Sequence, residues 1–366
     1  MRIGILPLAL GRQAGGPETY EAELIRGLAK IDPENEYFVY CPEPRAADAL
    51  GPLPANFSLR ILRPALRAVS LAFTLPRSMA ADRIDLFHAT YAPPPLPNKP
   101  FVFTMHCASN FAHPEYYPTW IRWRLNALQR AGLRRARTIL CVSDFVARYL
   151  RDQFRVPPGR LVTVYNGVAP EFFAASAAAG PFDFPYVLYA GKLQARKNVV
   201  GLIHAFARYR ELTGSEARLV LAGKRVETSE GIDEAIAAHN LASHVVELGY
   251  VSDRASLLPR LYAGARMLVF PSLYEGFGIP VAEAMAAGCP VVASNVTSLP
   301  EIAGDAALLV DPSSIDAIAE AMARLDRDTA LRAGLIERGR LRAARFTWES
   351  TARQTLAAYR KAASQG

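Results

Sequence analysis

Two glutamates, Glu275 and Glu283, bracket a glycine-rich string, Glu275-Gly-Phe-Gly-Ile-Pro280-Val-Ala-Glu283. Gly276 and Gly278 allow backbone N–H groups to approach a ligand closely on either side of Phe277. Pro280 suits the first helical position, and the helix should stop at Gly288 with Pro290 just beyond. A glycine loop that runs into a helix N-terminus binds anions, because the first helical N–H groups point outward unpaired. Glu275 lies ahead of that cradle, and Glu283 is expected in the first helical turn behind it. Carboxylates accept hydrogen bonds from hydroxyls. The string therefore suits a ligand that carries both phosphates and hydroxyls.

Other loops could supply cations and polar groups. Tyr189-Ala-Gly191-Lys192-Leu-Gln-Ala-Arg196-Lys197-Asn198 leads from an apolar run into a helical stretch. Lys192 and Lys197, with Arg196 beside them, could neutralise a leaving diphosphate. Lys224 follows Leu221-Ala-Gly and is a further candidate near a nucleotide. Gly15 and Gly16, followed by Pro17-Glu18, form a second glycine pair at a helix start. This pair is not GxGxxG, which argues against a dinucleotide site. His106 ends the run Phe101–His106, and His88 ends the preceding one as a weaker candidate. Asn166-Gly167-Val168 reads as a turn and hinge, and Ser143 as a helix cap. The Asp326-Arg-Asp328 pair sits in a mixed-charge helical stretch and reads as solvated surface, so no metal is expected.

Glu-(seven residues)-Glu with Gly-Phe-Gly-Ile-Pro between them resembles the signature of the large retaining glycosyltransferase family with the GT-B fold, often called family 4. The resemblance covers nearly the whole chain, with its specific motifs between Tyr186 and Glu301. It implies a nucleotide-diphosphate sugar as donor, of GDP-mannose or UDP-glucose type. It also implies a saccharide or polyprenyl-linked acceptor, and no cofactor or metal. The residues implied at the donor are Gly15, Gly16, Lys192, Lys197, Lys224, Glu275, Gly276, Phe277, Gly278, Ile279, Pro280 and Glu283. His106, Lys192, Lys197 and Glu275 are implied in catalysis. His106 would face the donor sugar, Glu283 the ribose hydroxyls, and Tyr250-Val-Ser-Asp253 the base. The family usually carries arginine at the place of Lys192; lysine keeps the charge but loses the bidentate fork. A sugar phosphorylase, a sucrose-type synthase or a non-catalytic nucleotide-sugar-binding protein would share much of this pattern.

The elements that must position these residues alternate along the chain. Apolar runs are at residues 2–6, 37–41, 59–62, 86–89, 101–106, 138–142 and 162–165. They recur at 186–190, 218–222, 245–248, 267–270, 291–293 and 307–310. Helical stretches separate them, the pattern of parallel sheets covered on both faces. The series restarts after the small-residue stretch 174–181. The expectation is an α/β chain of GT-B architecture, with two doubly wound Rossmann-like domains facing across a cleft. The first spans residues 1–173 and the second 174–345. The tail, residues 346–366, reads only as a helix; the resemblance implies that it packs back on the first domain. Ligands of such sheets sit beyond the C-terminal ends of the strands.

At 366 residues the chain is long enough for two cores. Its four cysteines form no CxxC or Cys/His cluster, so neither a zinc site nor a disulfide framework is supported, and a reducing cytoplasm fits. No apolar run approaches a membrane span, and Ile3–Leu10 reads as a first strand rather than a signal peptide. The net charge of +8 is uneven: residues 1–180 carry +7 of it. Residues 120–137 hold two tryptophans and six arginines without an acid, and residues 60–77 mix arginines with Leu66, Val69, Leu71 and Phe73. Tryptophan with arginine is typical of an interfacial helix. Peripheral contact with an anionic membrane, at the inner face of the cell membrane, is therefore expected, and no nucleic-acid partner is.

Overall fold

The protein is described here from a computed structural model that covers residues 1–64, 66–94, 98–175, 180–226 and 229–364. Among the described residues the strands are β1 (Arg2–Leu6), β2 (Glu36–Cys41), β3 (Phe57–Ile61), β4 (Leu86–Ala89), β5 (Phe101–Met105), β6 (Thr138–Cys141), β7 (Leu161–Thr163), β8 (Tyr186–Ala190), β9 (Arg218–Ala222), β10 (Val245–Gly249), β11 (Met267–Phe270), β12 (Val291–Ser294) and β13 (Leu308–Val310). Central strands such as β4, β5, β8 and β11 are buried along their whole length. That burial is why they are nearly continuous apolar runs rather than alternating ones. Each fully buried aliphatic or aromatic side chain contributes about 1.5–3 kcal/mol.

The chain divides into two compact units. One comprises Met1–Gly167 with Trp348–Gly366, the other Val168–Thr347. The change of unit falls in Asn166-Gly-Val168, upstream of the expected edge at residue 173. The turn Pro170–Phe173 belongs to the second unit because the Phe172 ring packs edge-on against Tyr262, with centroids 5.8 Å apart. Phe346 and Thr347 also stay with the second unit. Val168 donates to the Phe346 carbonyl and bridges Thr347, and Phe346 meets the Phe277 ring. Of the small-residue stretch 174–181, residues 176–179 lie outside the described residues.

In the first unit a seven-stranded parallel sheet runs β3-β2-β1-β4-β5-β6-β7. The strand order reverses between β1 and β4. The last helix, Trp348–Ser364, packs on the helix Gly16–Ile31, where Gly27 leaves room for Ala352 and the Trp348 carbonyl. Buried hydrogen bonds fix it there: Tyr359 Oη meets His88 Nδ1, His88 Nε2 meets Thr104 Oγ1, and Thr104 Oγ1 meets Tyr20 Oη. Burial pushes the His88 imidazole down to about 3, so it stays neutral. His88 is thus a core residue joining four elements.

In the second unit a six-stranded parallel sheet runs β10-β9-β8-β11-β12-β13 and reverses between β8 and β11. In open α/β sheets the loops at such a reversal diverge and leave a crevice at the strands' C-terminal ends. The loops carrying Gly15 and Gly16, and those carrying Lys197 and Glu275, leave strands at these two reversals.

Candidate functional site

In the second unit β8 runs into the loop Gly191–Asn198, and a short turn at Ala195–Lys197 precedes the helix Val199–Thr213. β11 runs into the loop 271–278 and the helix Ile279–Ala286, with Pro280 in its first turn. The two loops are knitted together. Leu273 N donates to the Arg196 carbonyl over 2.9 Å, and Arg196 Nη1 donates to the Tyr274 carbonyl over 2.8 Å. Lys197 is 8 % exposed and Glu275 7 %. The Lys197 ammonium donates to Glu275 Oε1, Arg196 stands 3.6 Å from Oε2, and the Phe270 ring lies under the ammonium at 4.9 Å. Burial raises the Glu275 carboxyl, but Lys197 and Arg196 outweigh it and hold the group below the usual carboxylate range. Glu275 is therefore ionised at neutral pH.

Gly278 has φ of +103°, a conformation that disfavours any Cβ, and it caps the helix that follows. Ser298 Oγ lies 3.2 and 3.0 Å from the carbonyl oxygens of Glu275 and Phe277, and Thr297 Oγ1 accepts from Glu275 N. These contacts orient the backbone from Glu275 to Gly278 and turn Gly276, Phe277 and Ile279 around the helix start. Glu283 lies in the second helical turn rather than the first, because the helix already begins at Ile279, one residue before Pro280. It is buried, and it does not join the Lys197 cluster. Arg254 Nη2 donates to its Oε1 over 2.5 Å and Tyr262 Oη to its Oε2 over 3.0 Å. Burial raises the Glu283 carboxyl despite both partners. Neither Arg254 nor Tyr262 stands out in the sequence, since their link to Glu283 is purely tertiary.

Lys192 and Lys224 lie on adjacent loops, drawn together by Leu193 N donating to the Lys224 carbonyl over 3.0 Å. Lys224 is exposed. Its neighbour Arg225 is held by Asp233 and Glu247. Asp253 accepts from Ser256 N, as a loop cap. Asp326 is not simply solvated: it accepts from Tyr209 and Arg266, while Asp328 caps the helix Thr329–Ala343. Among the described residues no group of three metal-ligating side chains comes together.

In the first unit Gly15 (φ +75°) caps the helix Gly16–Ile31. The loop before it is built on two carboxylates, of which Glu21 escaped the reading of the sequence. Glu18 accepts from Gly11 N and Ala14 N, 2.8 and 2.7 Å. Glu21, fully buried, accepts from the N–H groups of Leu8, Ala9 and Leu10. Thr90 Oγ1 lies 2.5 Å from Glu21 Oε1 and 2.7 Å from the Leu6 carbonyl. Thr90 Oγ1 has one hydrogen to share between these two acceptors. Burial pushes the Glu21 carboxyl up to about 7, against the hydrogen bonds that favour its ionised form. A signal was available: Glu21 shares the buried helical stripe of Leu24, Ile25 and Leu28, where a lone carboxylate needs dedicated donors.

This shift fixes a pH dependence. The folded-state value lies above the unfolded value of about 4.5, so the stabilisation is complete below 4.5 and is lost as pH rises through about 7. Relative to Glu21→Gln, the wild-type protein should lose on the order of 3 kcal/mol of stability between pH 4.5 and 7.5. Denaturant titrations of both proteins across that range check this, and a pH-independent difference would exclude a proton on Glu21.

His106 follows β5. Its Nε2 lies 2.7 Å from the Thr90 carbonyl, and its ring packs edge-on against Tyr20 at 4.6 Å. A carbonyl only accepts, so Nε2 carries the proton and Nδ1 offers a lone pair. Burial pushes the imidazole down to about 4, despite the Thr90 bond. His106 is therefore neutral at physiological pH, with Nδ1 able to accept a hydrogen bond. Thr90 joins His106 and Glu21 into one cluster at the reversal of the first sheet.

Two doubly wound parallel units, each with its polar loops at the strand-order reversal, define the class as a GT-B glycosyltransferase. Two family models match: "Glycosyltransferase Family 4" over residues 14–172 and "Glycosyl transferases group 1" over residues 176–342. The chain is 37 % identical to O-antigen chain mannosyltransferase B of Escherichia coli over 268 residues, covering 71 % of this chain and 70 % of that one. It is 35 % identical to the MMP alpha-(1->4)-mannosyltransferase of Mycolicibacterium hassiacum, over 64 % of this chain and 56 % of that one. The chain belongs to this glycosyltransferase family and is an enzyme of that class. Among solved structures it resembles the sucrose-phosphate synthase of Thermosynechococcus elongatus, with a TM-score of 0.82 over the full length of both chains at 22 % identity. It also resembles Anabaena Alr3699/HepE in complex with UDP and glucose, with a TM-score of 0.72 at 18 % identity over 98 % of this chain and 99 % of that one. These likenesses show the fold.

Proposed function

We propose that the protein is a retaining, metal-independent hexosyltransferase that moves mannose or glucose from a nucleotide-diphosphate sugar to a saccharide or polyprenyl-linked acceptor of a cell-surface polysaccharide. The observation that carries this reading is the buried Lys197–Glu275 pair, knitted by Arg196 to the glycine loop at the start of the helix Ile279–Ala286. The likeness to mannosyltransferases favours mannose.

In this reading the diphosphate takes the place of part of Glu275's hold on the cations. Lys197 and Lys192, with the Gly276–Pro280 backbone, would stabilise the charge that develops on the leaving group. Glu275 and the amides of Phe277 and Gly278 would orient the sugar, and Glu283 would accept from the ribose hydroxyls. His106 would accept from a sugar hydroxyl through Nδ1. The acceptor's proton would pass to the leaving phosphate oxygen on the same face of the sugar, which retains configuration without a covalent enzyme intermediate. Orientation is then the protein's main contribution.

A thermal-shift screen of nucleoside diphosphates and their sugars tests the reading. A bound donor raises apparent stability by mass action, about 2.7 kcal/mol at a hundredfold excess over Kd. With that donor, Glu283→Ala should raise KM and leave kcat nearly unchanged, since ribose contacts are nearly equal in ground and transition states. Glu275→Ala should mainly lower kcat. No stabilisation by any nucleotide would sink the proposal, and a Glu275→Ala effect confined to KM would sink its role at the sugar.

A further inference from the structure

The helix Gly16–Ile31 directs two carboxylates at the loop in front of it. β1 ends at Leu6, and the chain then curls so that the N–H groups of Leu8, Ala9 and Leu10 all point at Glu21, over 2.9, 2.7 and 2.8 Å. Glu18, three residues earlier and so on the same face of the helix, takes the N–H groups of Gly11 and Ala14. The loop that leads to Gly15 and Gly16 is thereby hung from the helix it precedes. Folding alone asks for less. Glu21 is fully buried in the stripe of Leu24, Ile25 and Leu28, where an apolar side chain gains by leaving water and a carboxylate loses. What the carboxylate adds is direction, because the groups that donate to it must stand along its lone pairs.

The same carboxylate reaches across the sheet. β1, β4 and β5 are neighbours in that order, with Leu6 beside Ala89 and Ala89 beside Phe103. Thr90, the first residue after β4, stands between the ends of the other two strands. Its Oγ1 lies 2.5 Å from Glu21 Oε1 and 2.7 Å from the Leu6 carbonyl, and its own carbonyl accepts from His106 Nε2 over 2.7 Å. Glu21 thus fixes the Thr90 side chain, and the Thr90 backbone fixes the imidazole. Tyr20, the residue before Glu21, supports the ring from another side. It meets His106 edge-on at 4.6 Å, and its hydroxyl is held by Thr104 over 2.9 Å. Tyr91 stacks on the imidazole with centroids 6.1 Å apart. His106 Nδ1 has no hydrogen-bond partner among the described residues.

We propose that Glu21 is a positioning residue of sugar transfer. Acting through Thr90, it sets the place and the tautomer of the His106 ring, and through the N–H groups of Leu8, Ala9 and Leu10 it sets the loop ahead of Gly15. This rests on the reading that His106 meets a hydroxyl of the donor sugar; Glu21 itself touches no substrate. A neutral imidazole has two tautomers. The Thr90 carbonyl selects the one with hydrogen on Nε2, and only that one leaves Nδ1 able to accept. A swap of tautomer turns the acceptor into a donor, and a displacement of about 0.5 Å spoils the alignment. Either change lowers turnover without altering the hold on the nucleotide.

Glu21→Ala would leave three buried N–H groups without an acceptor and puts the fold at risk. Thr90→Val is the better probe. It keeps the shape, the Thr90 carbonyl and the grip of Glu21 on the loop, and it cuts only the link at Oγ1. Turnover is read as hydrolysis of GDP-mannose, with UDP-glucose in parallel, at a temperature where every variant is folded. Thr90→Val should lower kcat about tenfold with donor KM within about twofold, and Thr90→Ser, which keeps the hydroxyl, should restore it. In a His106→Ala background Thr90→Val should cost nothing further, because residues that act as a unit are not additive. The NMR spectrum of the ring nitrogens, assigned by the signals lost in His106→Ala, should show one tautomer in the wild type and both in Thr90→Val. Full kcat in Thr90→Val, an equal cost on both backgrounds, or an unchanged tautomer would overturn the proposal. Wild-type turnover in His106→Ala would remove His106 from the donor sugar, and the proposal with it. Failure of the wild type to turn over either donor would count against the transferase reading instead. The ring spectrum, taken without donor, then still decides whether Thr90 sets the imidazole.

Discussion

Lys197→Met is expected to lower kcat about 10²–10³-fold at saturating donor, the usual loss when one contact to developing charge is removed. It is also expected to lower the melting temperature. Glu275 is 7 % exposed and would lose its closest cation, with Arg196 left 3.6 Å away. Breaking a buried pair by removing one partner costs about 3–5 kcal/mol. The two effects separate in the variant Lys197→Met/Glu275→Gln. Removing the second charge should restore most of the melting temperature, because no unpaired ion remains buried. Turnover should stay low, because the cation for the leaving group is still missing. Calorimetry and single-turnover transfer on the two variants check this. Recovery of turnover together with stability would reduce Lys197 to a structural ion, and near-wild-type kcat in the single variant would remove it from catalysis.

Gly223→Ala is expected to disrupt the donor side of the second unit far more than its one methyl group suggests. A Cβ at this position would stand 1.7 Å from the Gly191 carbonyl oxygen and 2.6 Å from its carbon. Both are backbone atoms, so no rotamer change relieves the clash. Gly191 N is itself bonded to the Ala222 carbonyl, and Lys192 follows directly. The loops after β8 and β9 must therefore separate and carry Lys192 with them. The cost should reach the upper end of overpacking, about 3 kcal/mol or more, with loss of nucleotide binding. Lys224→Ala, one residue on and exposed, should stay within about 0.5 kcal/mol of wild type. Chemical denaturation and nucleotide titration of both variants check this. A Gly223→Ala protein with unchanged stability and donor affinity would mean that these loops do not form the donor's floor.

The strands were legible because a parallel strand covered on both faces must be apolar at almost every position. β1, β4, β8, β9 and β11 begin and end where the apolar runs do. Elsewhere the ends differ by a residue or two, as at β3 (Phe57–Ile61), an outer strand with exposed positions. The helix was legible from Gly278 and Pro280, whose backbone preferences act locally, although it starts at Ile279, one residue before the expected Pro280. The Ser143 cap, which accepts from Val146 N, was legible for the same reason.

What the sequence by itself determined is thus local or additive: the α/β alternation, the glycine loops at helix starts, the polar residues they carry, and the surplus of arginine without acid in two stretches. Tertiary structure alone decided which of those residues meet. It paired Lys197 with Glu275 and gave Glu283 to Arg254 and Tyr262 instead. It buried Glu21 under three backbone N–H groups and turned two tryptophans outward. The physical reason is range. Propensity and capping act over a few residues, while an ion pair is set by which loops leave adjacent strands at a reversal of the sheet, and strand order is fixed only when the whole core closes.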